Sequence, residues 1–191
     1  MNLRLKFILS ITLCFLLLPS SSMSASRIQL SANEYKQYDD ILKGLERTRN
    51  NYEAQKSALT EVEKEVYGLN SEGIFVLAYY KADELVCVEE YSRGEYGRSE
   101  CLYFFNGEQT FLIETIMDYS RHLFEDDGTE LVVTTHEPTK RVIAEGAMYL
   151  LNETERKLER CSDEDYQWIV KLLSIYERAL QYDGEVYEVD E

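Results

Sequence analysis

From residue 33 to residue 67 the apolar side chains Tyr38, Ile41, Leu45, Tyr52, Leu59, Val62 and Val66 recur at alternating steps of three and four, with Thr48 and Gln55 completing the stripe. That period is helical, and the stretch contains no proline and a single glycine, Gly44, which costs roughly 1 kcal/mol inside a helix relative to alanine. Ser31 with Glu34 three residues on fits a capping box. The pattern predicts one long amphipathic helix over residues 26–70, with a break near Asn50-Asn51 allowed, packing on its own domain or on a partner helix.

Residues 71–161 change character. β-Branched and aromatic residues alternate with polar ones between turn signals, which predicts an antiparallel meander of six or seven strands. The strongest turn signal is Asn106-Gly107, suited to a two-residue type I′ hairpin. It sets Leu102 against Phe111, Phe104 against Gln109 and Cys101 against Leu112. One face then carries Leu102, Phe104, Phe111 and Ile113; the other carries Cys101, Tyr103, Thr110, Leu112 and Glu114, and is expected to be partly wet. In the preceding strand Val86 and Val88 oppose Leu85, Cys87, Glu89 and Tyr91. A turn about Gly94 would bring Cys87 opposite Cys101. Asp127-Gly128 predicts another hairpin, pairing His122 with Val133 and leaving His136 on the reverse face. Residues 141–151 read as one strand and residues 156–161 as the last.

Ser162 followed by Asp163, Glu164 and Asp165 predicts a second helix over residues 162–183, its acids complementing the positive N-terminal dipole. Its apolar face is Tyr166, Ile169, Leu172, Leu173, Tyr176 and Leu180, and Gly184 stops it. Residues 184–191 form an acidic tail expected to fray. The fold class is therefore α+β: a long N-terminal helix, an antiparallel meander and a C-terminal helix packed on one sheet face.

The segments Cys101-Leu102-Tyr103-Phe104-Phe105-Asn106-Gly107 and Met148-Tyr149-Leu150-Leu151-Asn152 resemble exported bacterial proteins built on a β-meander with Tyr/Phe-Asn-Gly hairpins. The resemblance covers roughly residues 73–161. It implies the fold and a bacterial envelope location, and no activity.

The start of the chain supports export independently. Arg4 and Lys6 precede an uncharged apolar run over residues 7–18, followed by Pro19 and small residues, which is the layout of a secretory signal peptide with cleavage near Ala25. The run is shorter than the roughly 20 residues a spanning helix needs. The mature chain is accordingly expected to lack a transmembrane segment and to be periplasmic or secreted.

Charge narrows the partners. Against 20 Lys and Arg the chain has 36 Asp and Glu, a net charge of −16, and loss of the signal removes two cations and no acid. Nucleic acid is excluded as a partner, because its affinity comes largely from cations neutralising phosphates. A basic partner would be steered toward such a surface. Of the 4 cysteines, Cys14 leaves with the signal, so Cys87, Cys101 and Cys161 remain in an oxidising compartment. Cys87–Cys101 is the first candidate for a disulfide; Cys101–Cys161 and three free thiols are the alternatives.

Candidate chemistry is sparse. His122 and His136 are the sole histidines and fall on different faces, and no nucleophile elbow, zinc-binding helix or phosphate loop is present. The cysteine spacing suits no zinc site, and residues 125–130 lack the ligand spacing of a calcium loop. No catalytic residue, cofactor or metal ligand is assigned. Tyrosine is the conspicuous enrichment, 15 in all. It combines apolar area with a hydroxyl, so Tyr91, Tyr103 and Tyr119 are the candidate binding surface. The sequence favours a non-catalytic binding module for a protein or glycan of the cell envelope. The alternatives are an acidic inhibitor of a basic envelope enzyme such as a lysozyme, and a hydrolase with carboxylates that cannot be picked out.

Overall fold

The computed structural model describes residues 32–67, 69, 73–107, 109–123, 130–181 and 186–187. The signal segment, the cap at Ser31 and the Asp127-Gly128 turn lie outside them.

Helix α1, Ala32–Gln55, buries Tyr38, Leu45 and Tyr52, a stripe with two-turn spacing, against Phe104, Phe111, Val142 and Leu151 of the sheet. Gly44 stands where the helix rides close on the strands. A Cβ there would meet the Phe111 ring at 3.4 Å. The helix is shorter than its periodicity suggests. It ends in a 3₁₀ turn, Lys56–Ala58, and the chain then enters strand β1, Thr60–Tyr67. Val62 and Val66 are four apart, a spacing that suits a helical face and one face of a strand equally. Glu61, Glu63 and Glu65 in alternation are the strand's other face, and pairing with β2 decides between the two periods.

The following strands are β2 Ile74–Lys81, β3 Glu84–Gly94, β4 Gly97–Asn106, β5 Gln109–Tyr119, β6 Val133–Thr135, β7 Thr139–Ala144, β8 Ala147–Asn152 and β9 Lys157–Arg160. Helix α2 spans Asp163–Gln181, and a short β10, Val186–Tyr187, follows. The sheet order is β10-β1-β2-β3-β4-β5-β7-β8-β9, with β6 also on β5. All neighbours are antiparallel except β10, which runs parallel to β1. Part of the tail thus adds a strand instead of fraying. The sheet has 10 strands among the described residues, more than the six or seven expected. β1 replaces the end of the expected helix, and residues 141–151 fold back at Glu145-Gly146, with φ of 51° and 74°.

Register also departs from expectation. Asn106 pairs with Gln109, so Gly107 with φ of 61°, and not Asn106, opens the β4–β5 turn. Phe104 consequently faces Phe111, and Leu102 faces Ile113. The face assignments survive because the slip is by an even number. Between β3 and β4 the slip is odd: Gly94 pairs with Gly97, Cys87 with Phe104 and Cys101 with Glu90. Cys87 and Cys101 therefore lie on opposite faces of the sheet, and both are free, as is Cys161. The expected Cys87–Cys101 disulfide is not formed.

Ser162 caps α2, its Oγ accepting the Asp165 amide at 3.0 Å. The helix packs Leu172, Ile175, Tyr176 and Ala179 on Val66, Val76, Ala78, Val88, Tyr103 and Leu112. At about 1.5 Å per residue it is roughly 28 Å long, enough to reach both β1 and β8, which it touches. The face expected to be partly wet is thus covered by α2, while α1 covers the other. Among the described residues no helix is long and apolar enough to cross a membrane.

Candidate functional site

The central strand β3 reads Leu85-Val86-Cys87-Val88-Glu89-Glu90-Tyr91, an apolar run interrupted by two adjacent acids. Strand alternation sends them to opposite faces, and helices cover both faces, so each carboxylate enters a core. Their residues are 4% and 8% exposed.

Glu89 turns toward α1. Its Oε1 accepts the Tyr52 hydroxyl at 2.7 Å and Lys56 Nζ at 2.5 Å; its Oε2 accepts the Tyr79 hydroxyl at 3.2 Å and the Tyr91 hydroxyl at 3.0 Å. Three elements supply these donors: the last turns of α1 with the 3₁₀ turn, β2, and β3 itself two residues on. Lys56 Nζ also lies 4.8 Å from the Tyr79 ring centroid. The Tyr52 ring meets Tyr79 and Phe104 edge-on at 5.4 and 5.5 Å. Burial works to raise the Glu89 carboxyl, but hydrogen bonds from Lys56, Tyr52 and Tyr91 outweigh it and hold the group below the ordinary carboxylate range. Burial and the neighbouring carboxylate push Tyr79 and Tyr91 up to about 12.

Glu90 turns toward α2 and has a poorer set of partners. The Tyr103 hydroxyl donates to Oε2 at 2.7 Å. Glu114, whose charge reaches Glu90, is itself paired with Arg141 at 2.8 Å. Burial therefore dominates and pushes the Glu90 carboxyl up, with the charge of Glu114 adding to the rise. The Tyr176 hydroxyl is buried in the same region without a hydrogen bond of ordinary geometry. Burial pushes the thiols of Cys87 and Cys101 up, which keeps both protonated and unreactive.

The sheet separates these carboxylates, so they cannot act on opposite sides of one bond. Each is closed in by its own tyrosines. Hollows of about 420 Å³ lie elsewhere, one beside Lys36, Asp40 and Gln109, the other beside Asp165, Trp168 and Lys171. Neither is lined by Glu89 or Glu90. Among the described residues no group of three or more His, Cys, Asp and Glu side chains is disposed to hold a metal.

The three tyrosines read as a surface do not share one. Tyr103 is 1% exposed beneath Tyr176, with ring centroids 6.3 Å apart. Tyr91 lies on the α1 face, spent on Glu89, and Tyr119 lies near the end of β5. Among the described residues the most open aromatic side chain is Tyr96, in the β3–β4 turn, 64% exposed; Trp168 on α2 and Phe75 on β2 are also exposed. Its ring meets His122 edge-on at 5.1 Å, and His122 Nε2 pairs with Glu95 at 2.9 Å. His136 pairs instead with Asp118 at 2.7 Å. Tyr119, rather than His122, stands against Val133. Pattern reading places Glu89 on a strand face and Tyr96 among the meander tyrosines without marking either as a site residue. The two acids inside an apolar strand were the signal for Glu89; nothing local marks Tyr96 apart from other turn tyrosines.

These features define an α+β protein with one antiparallel sheet held between two helices and a carboxylate buried in each layer. No family model, curated protein or solved structure matches this chain.

Proposed function

We propose that this chain is a non-catalytic binding protein that works in the periplasm or outside the cell, recognising a protein or glycan of the envelope. The observation carrying the reading is how the ionisable groups are used. The two buried carboxylates are consumed by internal hydrogen bonds, whereas an aromatic side chain is left open at Tyr96. Strained or perturbed groups at a catalytic site normally face a cleft; here they face core tyrosines. The signal-like start of the chain supplies the location. Two measurements test this. N-terminal sequencing of the protein from fractionated cells should find it outside the cytosol, beginning near residue 26; an intact chain starting at Met1 in the cytosol overturns the location. Affinity capture from envelope extract should recover a partner that Tyr96→Ala loses while the melting temperature is kept; equal capture by the variant overturns the surface.

One observation favours a second reading, an inhibitor of a basic envelope enzyme such as a lysozyme. Glu61, Glu63 and Glu65 share one face of β1, with Glu61 and Glu63 exposed. Association driven by such a row should weaken steeply between low and high salt. Binding indifferent to salt removes this reading.

A further inference from the structure

Strand β6 is an open edge. Among the described residues it pairs with β5 and with no other strand. β7 continues along the same edge of β5, but Glu137 and Pro138 together stand against Thr115 alone, a bulge that separates the two pieces. β8 pairs with β7 over Arg141–Ala144 and does not extend to β6. The hydrogen bonds Ser120 N–H to Val132 C=O and His136 N–H to Ile116 C=O, both 2.9 Å, fix which residues face β5. By strand alternation Val132, Thr134 and His136 turn their backbone groups inward, while Leu131, Val133 and Thr135 turn theirs outward.

β6 itself is short, Val133–Thr135, and the Glu137-Pro138 bulge bounds it on one side, but two further protections of an edge, charge and proline, are missing from the strand and its approach among the described residues. Leu131-Val132-Val133-Thr134-Thr135 contains no charge and no proline. Val132 and Val133 are 54% and 46% exposed, and Ile116 beside them is 44% exposed. The uncharged run is centred on Val133, with Glu130 at one end and His136 at the other. An antiparallel copy laid about Val133 sets Val133 against Val133 and Leu131 against Thr135. It also sets each Glu130 against the His136 of the other copy. A carboxylate thus meets an imidazole at both ends, and no carboxylate is placed directly across from another. His136 uses Nε2 on Asp118, so Nδ1 is the ring nitrogen left toward the incoming strand, and it donates to the carboxylate when the ring is protonated.

We propose that two copies of this chain pair through β6 in this register, forming one sheet that runs continuously across the dimer. About six new backbone hydrogen bonds form, and the exposed valines gain cross-strand neighbours. A strand this short buries less than the roughly 800 Å² per partner of a standard interface, so association is weak and concentration-dependent. The proposal does not depend on Tyr96 or on the identity of any envelope partner.

Sedimentation equilibrium of the purified protein over a wide concentration range tests it. The expected result is a monomer–dimer equilibrium abolished by Val133→Lys and weakened about tenfold by Glu130→Lys. Hydrogen exchange on the unmodified chain is the second measurement. Amides of residues 131–135 should slow as concentration rises, whatever the fate of the variants. A one-copy mass throughout, a dimer undiminished by Val133→Lys, or exchange in 131–135 independent of concentration each overturns the proposal. Pairing of β6 with an added extended peptide in a chain that never self-associates overturns it as well.

Discussion

Glu89 and Glu90 are consecutive residues of one strand, face opposite layers, and are driven in opposite directions by their surroundings: Glu89 toward ionisation, Glu90 toward the neutral acid. Burial raises both. What separates them is Lys56 with three tyrosine hydroxyls on one side and a single hydrogen-bonding tyrosine on the other.

Glu89→Gln leaves Lys56 beside a neutral amide and should destabilise the protein by about 2–3 kcal/mol. That is below the roughly 3–5 kcal/mol of a fully buried pair, because Lys56 itself is partly in water. Tyr52→Phe should cost about 1–2 kcal/mol through one lost charge-assisted hydrogen bond. Chemical denaturation of both variants measures these values.

The two acids should also leave opposite marks on stability against pH. The folded pKa of Glu89 lies below its unfolded value, near ~4.3. Its contribution is therefore present above that unfolded value and is lost as pH falls through the folded one. The folded pKa of Glu90 lies above its unfolded value, so its contribution is full below the unfolded value and is lost as pH rises through the folded one. Glu90→Gln should then be more stable than the parent at neutral pH, with the gap closing toward pH ~4. Thermal melts across that range check the sign, and a gap that widens in acid contradicts it.

Tyr103 and Tyr176 offer a matched pair near the same carboxylate. Tyr103→Phe removes a 2.7 Å hydrogen bond and should cost about 1–2 kcal/mol. Tyr176→Phe removes a buried hydroxyl that makes no such bond and should be neutral within about 0.5 kcal/mol, or stabilising.

Thiol reactivity reads out the cysteine arrangement. Peptide mapping without reduction should find Cys87 and Cys101 unlinked. Alkylation of the native protein should modify Cys161, which is partly exposed, well before either of them. Denaturant should abolish the difference.

Gly97 marks a close backbone approach. A Cβ there would stand 2.6 Å from the carbonyl oxygen of Met117 on the neighbouring strand. Gly97→Ala must part β4 from β5 and should cost about 2 kcal/mol or more in denaturant melts.

Much of this architecture was legible in the chain. Alternation through Leu102, Phe104, Phe111 and Ile113 assigns the faces of the central strands, and Ser162 with its three following acids marks α2. What misled was degeneracy of pattern. Val62 and Val66 satisfy both periods, and long-range pairing with β2 settles which one the chain adopts. The row containing Tyr103, Thr110 and Glu114 looks wet because its polar atoms are satisfied only by tertiary partners: Tyr103 by Glu90 and Glu114 by Arg141. The cysteine pairing failed on a single turn. Moving its centre from Gly94 to Glu95-Tyr96 changes register by an odd number and flips Cys101 to the other face. The candidate surface failed for the same reason as the wet face, since nothing in composition tells a buried tyrosine from an open one.

Helix α2 joins β1 to β8 although it follows β1 by nearly a hundred positions in the chain. A ribosome releases it after every strand from β1 to β9. Until then Val66, Val76, Val88 and Leu112 have nothing to rest on. A nascent or truncated polypeptide stopping before Asp163 would carry that bare apolar sheet into whatever compartment receives it, and would depend on a chaperone until α2 arrived.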